Sequence, residues 1–239
     1  MNDLLRNVLD AHGGLSRWNE ITTVSATVVT GGGLFPLKGL VQDSNPRRLV
    51  VSAHEEFASL SPFGQPDWRT SFRPGRVAIE ASDGTVIREQ DAPRTMFAGH
   101  GLQTPWNPLQ RAYFSGYALW TYLTTPFFMA MPGFEVHEIE PLDEGAEQWR
   151  GLKVRFPDGI VSHCNEQEIY FGDDFLLRRH DYRVDVAGSF PAAQLVDRYA
   201  DVQGFKVPTR RRAYVRGPDG KPVRDLLMVA IDLDEFSFA

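Results

Sequence analysis

Residues Asn107 to Phe127 read NPLQRAYFSGYALWTYLTTPF, a run dense in aromatic rings with one charge, Arg111. Whether it is a membrane anchor, a core helix or the wall of a binding site decides how the rest of the chain is arranged. Asn107 and Pro108 predict a helix start, because the asparagine side chain caps free N–H groups and proline at the first helical position loses nothing by lacking one. Pro126 predicts the end near Thr125. About 18 residues at 1.5 Å each make a rod of roughly 27 Å, close to the thickness of a bilayer core. Placing the residues at 100° intervals argues against a span. Leu109, Ala112, Tyr113, Gly116, Leu119, Trp120 and Leu123 share one face, with Tyr117 and Thr124 at its margin, while Gln110, Arg111, Ser115, Thr121 and Thr125 lie opposite. This is an amphipathic helix, and no stable membrane insertion is expected. Tyr113, Tyr117 and Trp120 carry polar groups that need partners when buried, and Phe114 and Tyr122 interrupt the polar face. A helix lodged in a concave sheet, or covering its mouth, meets both demands.

Outside this stretch the texture is alternation. Asp3 to His12 place Leu4, Leu5, Val8 and Leu9 at helical spacing before the stop Gly13-Gly14. Then ITTVSATVVT, RRLVVSAHEEF, WRTSFRP, RVAIEAS and TVIREQ follow as short runs separated by Gly, Pro, Asn or Asp, the signature of a meandering antiparallel sheet. Ser82 to Thr85, SDGT, is a hairpin signal. After an interruption from about 92 to 131 the strands resume and run to the C-terminus. With no linker and no repeat, residues 1–239 read as a single mainly β (α+β) domain. It has an N-terminal helical segment at 1–18 and a helical insertion or lid at 92–131, with the helices packed on one face of the sheet.

The strongest hairpin joins VSHCNEQEIYF (161–171) to FLLRRHDYRVDV (175–186) through Gly172 to Asp174. A two-residue turn at Asp173-Asp174 sets Ile169 opposite Arg178, Gln167 opposite His180, Asn165 opposite Tyr182 and His163 opposite Val184. One face then carries charges, including Glu168, Arg179 and Asp181, and belongs in water. The other mixes Ile169, Phe171, Leu176, Val184 and Val186 with His163, Asn165, Gln167, Arg178, His180 and Tyr182. Polar groups on a core face must be paired or must face a cavity. His100, between glycines in FAGHGLQTPW just before the helix cap, is a further candidate over the cavity mouth.

Several functions are excluded or weakened by the same sequence. A net charge of −6 without a sustained basic stripe argues against nucleic acid, and TRRRAYVR (209–216) reads as the solvent face of a strand. The one cysteine, Cys164, rules out an internal disulfide framework. His163 and His180 pair with positions four residues apart, roughly 13 Å along a strand, so no metal is expected. Gly31 to Gly33 lack a phosphate-loop pattern and read as a bulge or tight turn, and Asp232, Asp234 and Glu235 read as a solvated strand edge. No cofactor is implied. MNDLLRNVLDAHGG lacks a basic segment followed by a long apolar one, so the expected location is the cytoplasm.

Two segments carry a family resemblance. AHGGLSRWNEITTVSATVV (11–29) resembles the helix, Gly-Gly, helix-turn and first strand of bacterial LolA-like proteins of the outer-membrane lipoprotein-sorting type. YADVQGFKVPTRRRAYV (199–215) is similar to their penultimate strand pair. The resemblance implies a curved, incomplete antiparallel β-barrel whose helices close the concave side over an apolar cavity for acyl chains or another hydrophobic ligand. Architecture is carried over and lipoprotein transport is not, because fold similarity alone does not assign function.

The resulting expectation is binding of a small, largely apolar molecule. Tyr113, Tyr117 and Trp120 would line its apolar part, and His163, Asn165, Gln167, Arg178, His180 and Tyr182 would hold its polar end. The alternatives are an isomerase, cyclase or hydrolase using His180 with Tyr182 or His163 as acid and base, or an interaction domain without a cavity.

Overall fold

A computed structural model describes residues 1–145 and 147–239. Its thirteen antiparallel strands form one sheet whose order follows two meanders. Strands β1 (Thr23–Gly31), β2 (Arg47–Ser52), β3 (Ala58–Ser61), β4 (Trp68–Arg73), β5 (Arg76–Ala81) and β6 (Val86–Asp91) step outward from the middle to one edge. Strands β7 (Glu135–Asp143), β8 (Gln148–Arg155), β9 (Glu166–Phe171), β10 (Leu177–Val184), β11 (Phe190–Val202), β12 (Phe205–Arg216) and β13 (Pro222–Phe238) start at the other edge and step back. The meanders join where β13 pairs with β1, through Val28 opposite Leu233 and Thr30 opposite Ile231. The sheet is not closed into a barrel, and β6 and β7 are its edges.

This order obliges residues 92–134 to cross from one edge to the other. They cross on the concave side as helix α4 (Pro108–Thr124), between 3-10 turns at Pro93–Phe97 and Phe127–Ala130. Trp120 Nε1 donates to Ser52 O on β2 at 3.0 Å, the Tyr122 hydroxyl lies 3.1 Å from that of Tyr182 on β10, and Arg211 on β12 donates to Tyr122 O at 2.8 Å. A single helix reaches strands so far apart in the sheet only because the sheet curls round it. The fold is therefore the mainly β, α+β sheet with helices on one face expected from the alternating runs, curled into the incomplete barrel that the family resemblance implies.

The ends of α4 follow the sequence reading. Asn107 accepts from Gln110 N at 3.0 Å while Gln110 Oε1 accepts from Asn107 N at 2.8 Å, a reciprocal cap, and Thr125 is the last cap residue. Its amphipathicity does not follow. Gln110, Thr121, Thr124 and Thr125, placed on or beside a solvent face, are all buried, as are Phe114 and Tyr122. The curled sheet covers the flanks, and the buried hydroxyls are absorbed internally: Thr121, Thr124 and Thr125 each donate to the carbonyl four residues earlier, at 2.9, 2.8 and 2.6 Å. Among the described residues no helix is long and apolar enough to cross a membrane.

Helices α1 (Asp3–Ala11) and α2 (Leu15–Trp18) close one end of the core. Leu4, Leu5, Val8 and Leu9 are buried, and Trp18 stacks on Phe127 at 4.3 Å. The two segments that resemble LolA-like proteins meet here. His12 O accepts from Lys206 N, Arg17 reaches Gly204 O at 3.1 Å, and Trp18 meets the Phe205 ring edge-on at 5.9 Å. Gly31 ends β1 and Gly32-Gly33, read as part of a bulge or tight turn, bend the chain into a short helix, α3 (Leu34–Leu37).

At Gly116 α4 lies tight against the sheet. A Cβ added there would lie 2.3 Å from Phe72 Cγ and 2.5 Å from Phe72 Cβ, and Phe72 on β4 is fully buried. Alanine would otherwise favour the helix by about 1 kcal/mol. Overpacking a rigid core costs about 1 to 3 kcal/mol, and Phe72 has no solvent to swing into, so the contact wins. Gly116→Ala should lower unfolding stability by a net of roughly 1 kcal/mol, about 2 at most, in urea titration. An unchanged or higher midpoint would mean that helix and sheet are not seated this closely.

Candidate functional site

Strands β9 to β12 present a polar band to α4. Tyr122 is its hub: the hydroxyl lies 2.9 Å from His163 Nε2 and 3.1 Å from the Tyr182 hydroxyl. His163 and Tyr182 stack with ring centres 4.1 Å apart, and His180 meets Tyr182 edge-on at 4.9 Å. His180 Nε2 pairs with Gln167 Oε1 at 2.6 Å, and Gln167 Nε2 donates to Cys164 O at 3.0 Å. Gln194 on β11 approaches the Tyr182 hydroxyl at 3.4 Å and accepts from Arg211 at 2.9 Å. Tyr117 meets His163 edge-on at 5.0 Å, and Tyr113 packs on Tyr117 at 5.5 Å.

This band is buried but incompletely paired. Among the described residues, the hydroxyls of Tyr113 and Tyr117, Nδ1 of His163 and of His180, and Nε of Arg211 have no well-aligned hydrogen-bond partner, although the Arg94 guanidinium faces the Tyr113 hydroxyl. Burial sets the protonation of the whole group by penalising the charged forms. It holds His180 down at about 3, with Arg211 adding to the effect, and His163 well below the usual histidine range. It pushes Tyr113 up to about 12, and Tyr117 and Tyr182 well above an ordinary phenol. At neutral pH the imidazoles and phenols are all uncharged.

Six of the expected residues, Tyr113, Tyr117, His163, Gln167, His180 and Tyr182, come together here. The hairpin keeps the expected faces although its register differs by two residues: Ile169, not Gln167, lies opposite His180. An even slip preserves alternation. The slip arises because the turn spans more than two residues, with Gly172 N donating to Leu176 O, and because a bulge sits between Leu177 and Arg179. That bulge takes Arg178 out of the band. Its guanidinium pairs with Asp174 at 2.7 Å at the hairpin tip and lines an outer cleft of about 570 Å³ with Trp149 and Tyr214. Asn165 is exposed, since β9 begins only at Glu166 and alternation has lapsed before it. His163 lies in the bend before that strand, so the spacing expected between the two histidines does not hold and both rings touch Tyr182. Trp120 commits its indole to Ser52 O on the β2 side, and His100 packs on Phe97 at 5.7 Å; neither touches the band.

Four contributors lay outside the sequence reading. Tyr122 was placed on a polar face. Arg211 was read with its neighbours as solvent-facing, yet Arg211 alone of the three is buried, at 1% exposure; strand alternation could have singled it out. Arg94 and Glu56 close the band toward solvent. Arg94 donates to Ser162 O at 3.0 Å and approaches Asp185 at 3.4 Å, and Glu56 accepts from Val161 N at 2.7 Å with its other oxygen unpartnered. The face read as charged and solvated is also partly covered. Arg179 and Asp181 pair at 2.7 Å and are buried beneath Glu144, Gly220 and Arg216.

Burial raises Glu56 to about 8 from an ordinary value near 4.5. The folded chain thus holds a proton that the unfolded chain releases, and stability falls as pH rises from 4.5 through 8. His180 acts oppositely: between about 3 and 6.5 the unfolded chain binds the extra proton, so stability rises with pH there. Between 4.5 and 6.5 the two slopes offset one another, so these groups make urea midpoints rise to about pH 4.5, level off, and decline from about 6.5 toward 8, by up to about 1.4 kcal/mol per pH unit from Glu56. Glu56→Gln should flatten the alkaline decline. An identical decline in that variant would remove Glu56 as its cause.

No family model and no curated protein matches the chain. Solved structures do. A LolA superfamily protein from Nitrosomonas europaea aligns over 97% of this chain and 92% of its own, with TM-score 0.51 and 10% identity. A DUF1329 family protein from Desulfovibrio piger aligns over 99% and 94%, with TM-score 0.51 and 10% identity. An outer membrane lipoprotein-sorting protein domain from Vibrio parahaemolyticus aligns over 99% and 91%, with TM-score 0.52 and 6% identity. At these identities the likeness is one of architecture: the chain has the LolA-like fold that its segments 11–29 and 199–215 resemble in sequence.

Proposed function

We propose that the protein binds a small, largely apolar molecule whose polar end is held between α4 and strands β9 to β12. One observation carries the reading. Facing surfaces of helix and sheet bring together buried hydroxyl, imidazole and guanidinium groups with unused hydrogen-bonding capacity, packed among aliphatic and aromatic core side chains, so a guest would have to part helix from sheet to reach them. Each unsatisfied buried group costs about 1 to 3 kcal/mol, so a ligand that supplies the partners recovers that energy on binding. The apolar surroundings select for a molecule that is mostly hydrocarbon or aromatic. Protonation argues against His180 and Tyr182 as an acid–base pair. A base poised for neutral pH needs a value near 7, whereas His180 lies at about 3 and Tyr182 well above 10.

The test combines native mass spectrometry of the purified protein with titration by a dansyl-labelled undecanoic acid. Saturable binding is expected. Tyr113→Phe combined with Tyr117→Phe removes two unpartnered hydroxyls, so it should weaken probe binding about tenfold while leaving the unliganded protein as stable or about 1 kcal/mol more stable. Absence of any bound or titratable apolar ligand would overturn the reading. A double variant that loses stability without losing affinity would show instead that the hydroxyls serve only the fold.

A further inference from the structure

We infer that the cleft at the N-terminal end of α4 is a binding site for an anionic oxygen group, a carboxylate or phosphate, separate from the inner His–Tyr band. The cleft, of about 520 Å³, lies between residues 41–45, the turn around Pro62 and Pro66, and Arg111. Two guanidinium groups meet beside it. Arg47, at the start of β2, has a side chain only 2% exposed; its Nη2 donates to Thr30 Oγ1, and its Nε has no hydrogen-bond partner among the described residues. Arg111 donates Nη1 to Val41 O at 2.8 Å and lies over the Phe35 ring at 4.4 Å, with Nε and Nη2 buried and likewise unpartnered.

Their charges do not balance. The carboxylate that faces them is Asp43, whose Oδ2 stands 3.9 Å from Arg47 Nε, an ion pair too long for a hydrogen bond. Two cations against one anion leave the site one positive charge in excess. Burial, with the nearby Arg47 charge adding to it, holds the Arg111 guanidinium down at about 10. Arg111 also sits in the first turns of α4, where the positive end of the helix dipole disfavours a cation. An entering carboxylate or phosphate corrects all three at once, because its oxygens accept several N–H groups side by side and bring the missing charge. Val41, 84% exposed, with Pro62 and Pro66 gives the cleft an apolar rim. The anion can thus arrive as a free ion or as the head of an amphiphile.

Calorimetric titration of the full chain at constant ionic strength separates these cases. The probes are sodium phosphate, dodecyl phosphate below its micelle concentration, and dodecyl maltoside as a neutral control. Binding of inorganic phosphate marks a free-ion site, and binding of dodecyl phosphate without phosphate marks an amphiphile head. In either case Arg111→Gln should weaken the affinity about tenfold. Asp43→Asn should tighten it, since it removes the carboxylate that competes for Arg47, and this partly exposed position makes the test independent of any structural role of Arg111. No binding of either anion, equal binding of dodecyl maltoside, or affinity unchanged in both variants would overturn the proposal. So would an anion affinity lost only in the Tyr113→Phe, Tyr117→Phe double variant, which would assign the binding to the inner band.

Discussion

The structure depends on the fit of one helix into the curl of one sheet. Two meanders that start at the middle and at the far edge oblige their connection to run from edge to edge, and it takes the concave face. The crossing segment must then tolerate protein on nearly every side. Gly116 allows the approach to Phe72, and Trp120 and Arg211 tie the helix to β2 and β12, strands on opposite sides of the β1–β13 seam. The buried threonines satisfy themselves on the helix backbone. Curvature and helix seating are one constraint: a flatter sheet could not reach Tyr122 from β10 and β12 while β2 holds Trp120.

Much of this was legible from local chemistry. Asn107, Pro108 and Pro126 mark the helix ends because capping and proline sterics act over one or two residues. The inward face of the β9–β10 hairpin was legible because alternation survives an even slip in register, and six of the ten nominated side chains meet there. Features that depend on distant segments were not. Whether the Gln110 and Thr121 side of α4 meets water depends on how far the sheet curls, which no helical projection contains. Arg178 and Asn165 were misplaced by a bulge and a late strand start, decided by the turn at 172–176 and the bend at 163–165. Arg94 and Glu56 belong to elements far apart in sequence from the hairpin, and no spacing rule connects them.

The two faces of the β9–β12 region handle polarity in opposite ways. Outside, charge is retained and paired: Arg179 lies between Asp181 and Glu144, and Arg216 reaches Asp181 at 2.9 Å. Such a pair, once buried, is costly to break from one side and adds little as a whole. Inside, burial removes charge from the titratable groups, and a network of neutral phenols, imidazoles and amides remains. A neutral network tolerates unused valences that a charged one would not.

Arg211 is the exception inside, a fully buried guanidinium with no carboxylate among its hydrogen-bond partners. Its position explains how it is held. Tyr122 belongs to the last turn of α4, so the carbonyl that accepts from Arg211 lies at the negative end of the helix dipole, and the Tyr122 ring faces the guanidinium at 4.9 Å. Aligned peptide dipoles and a π-face thus do the work of a counter-ion. At the other end of the same helix the dipole has the opposite sign, so Arg111, although it keeps the Phe35 ring face, is opposed by the dipole rather than helped by it. One helix therefore stabilises the buried cation at its C-terminus and sharpens the need for an anion at its N-terminus, which gives the two ends of the concave face different chemistry.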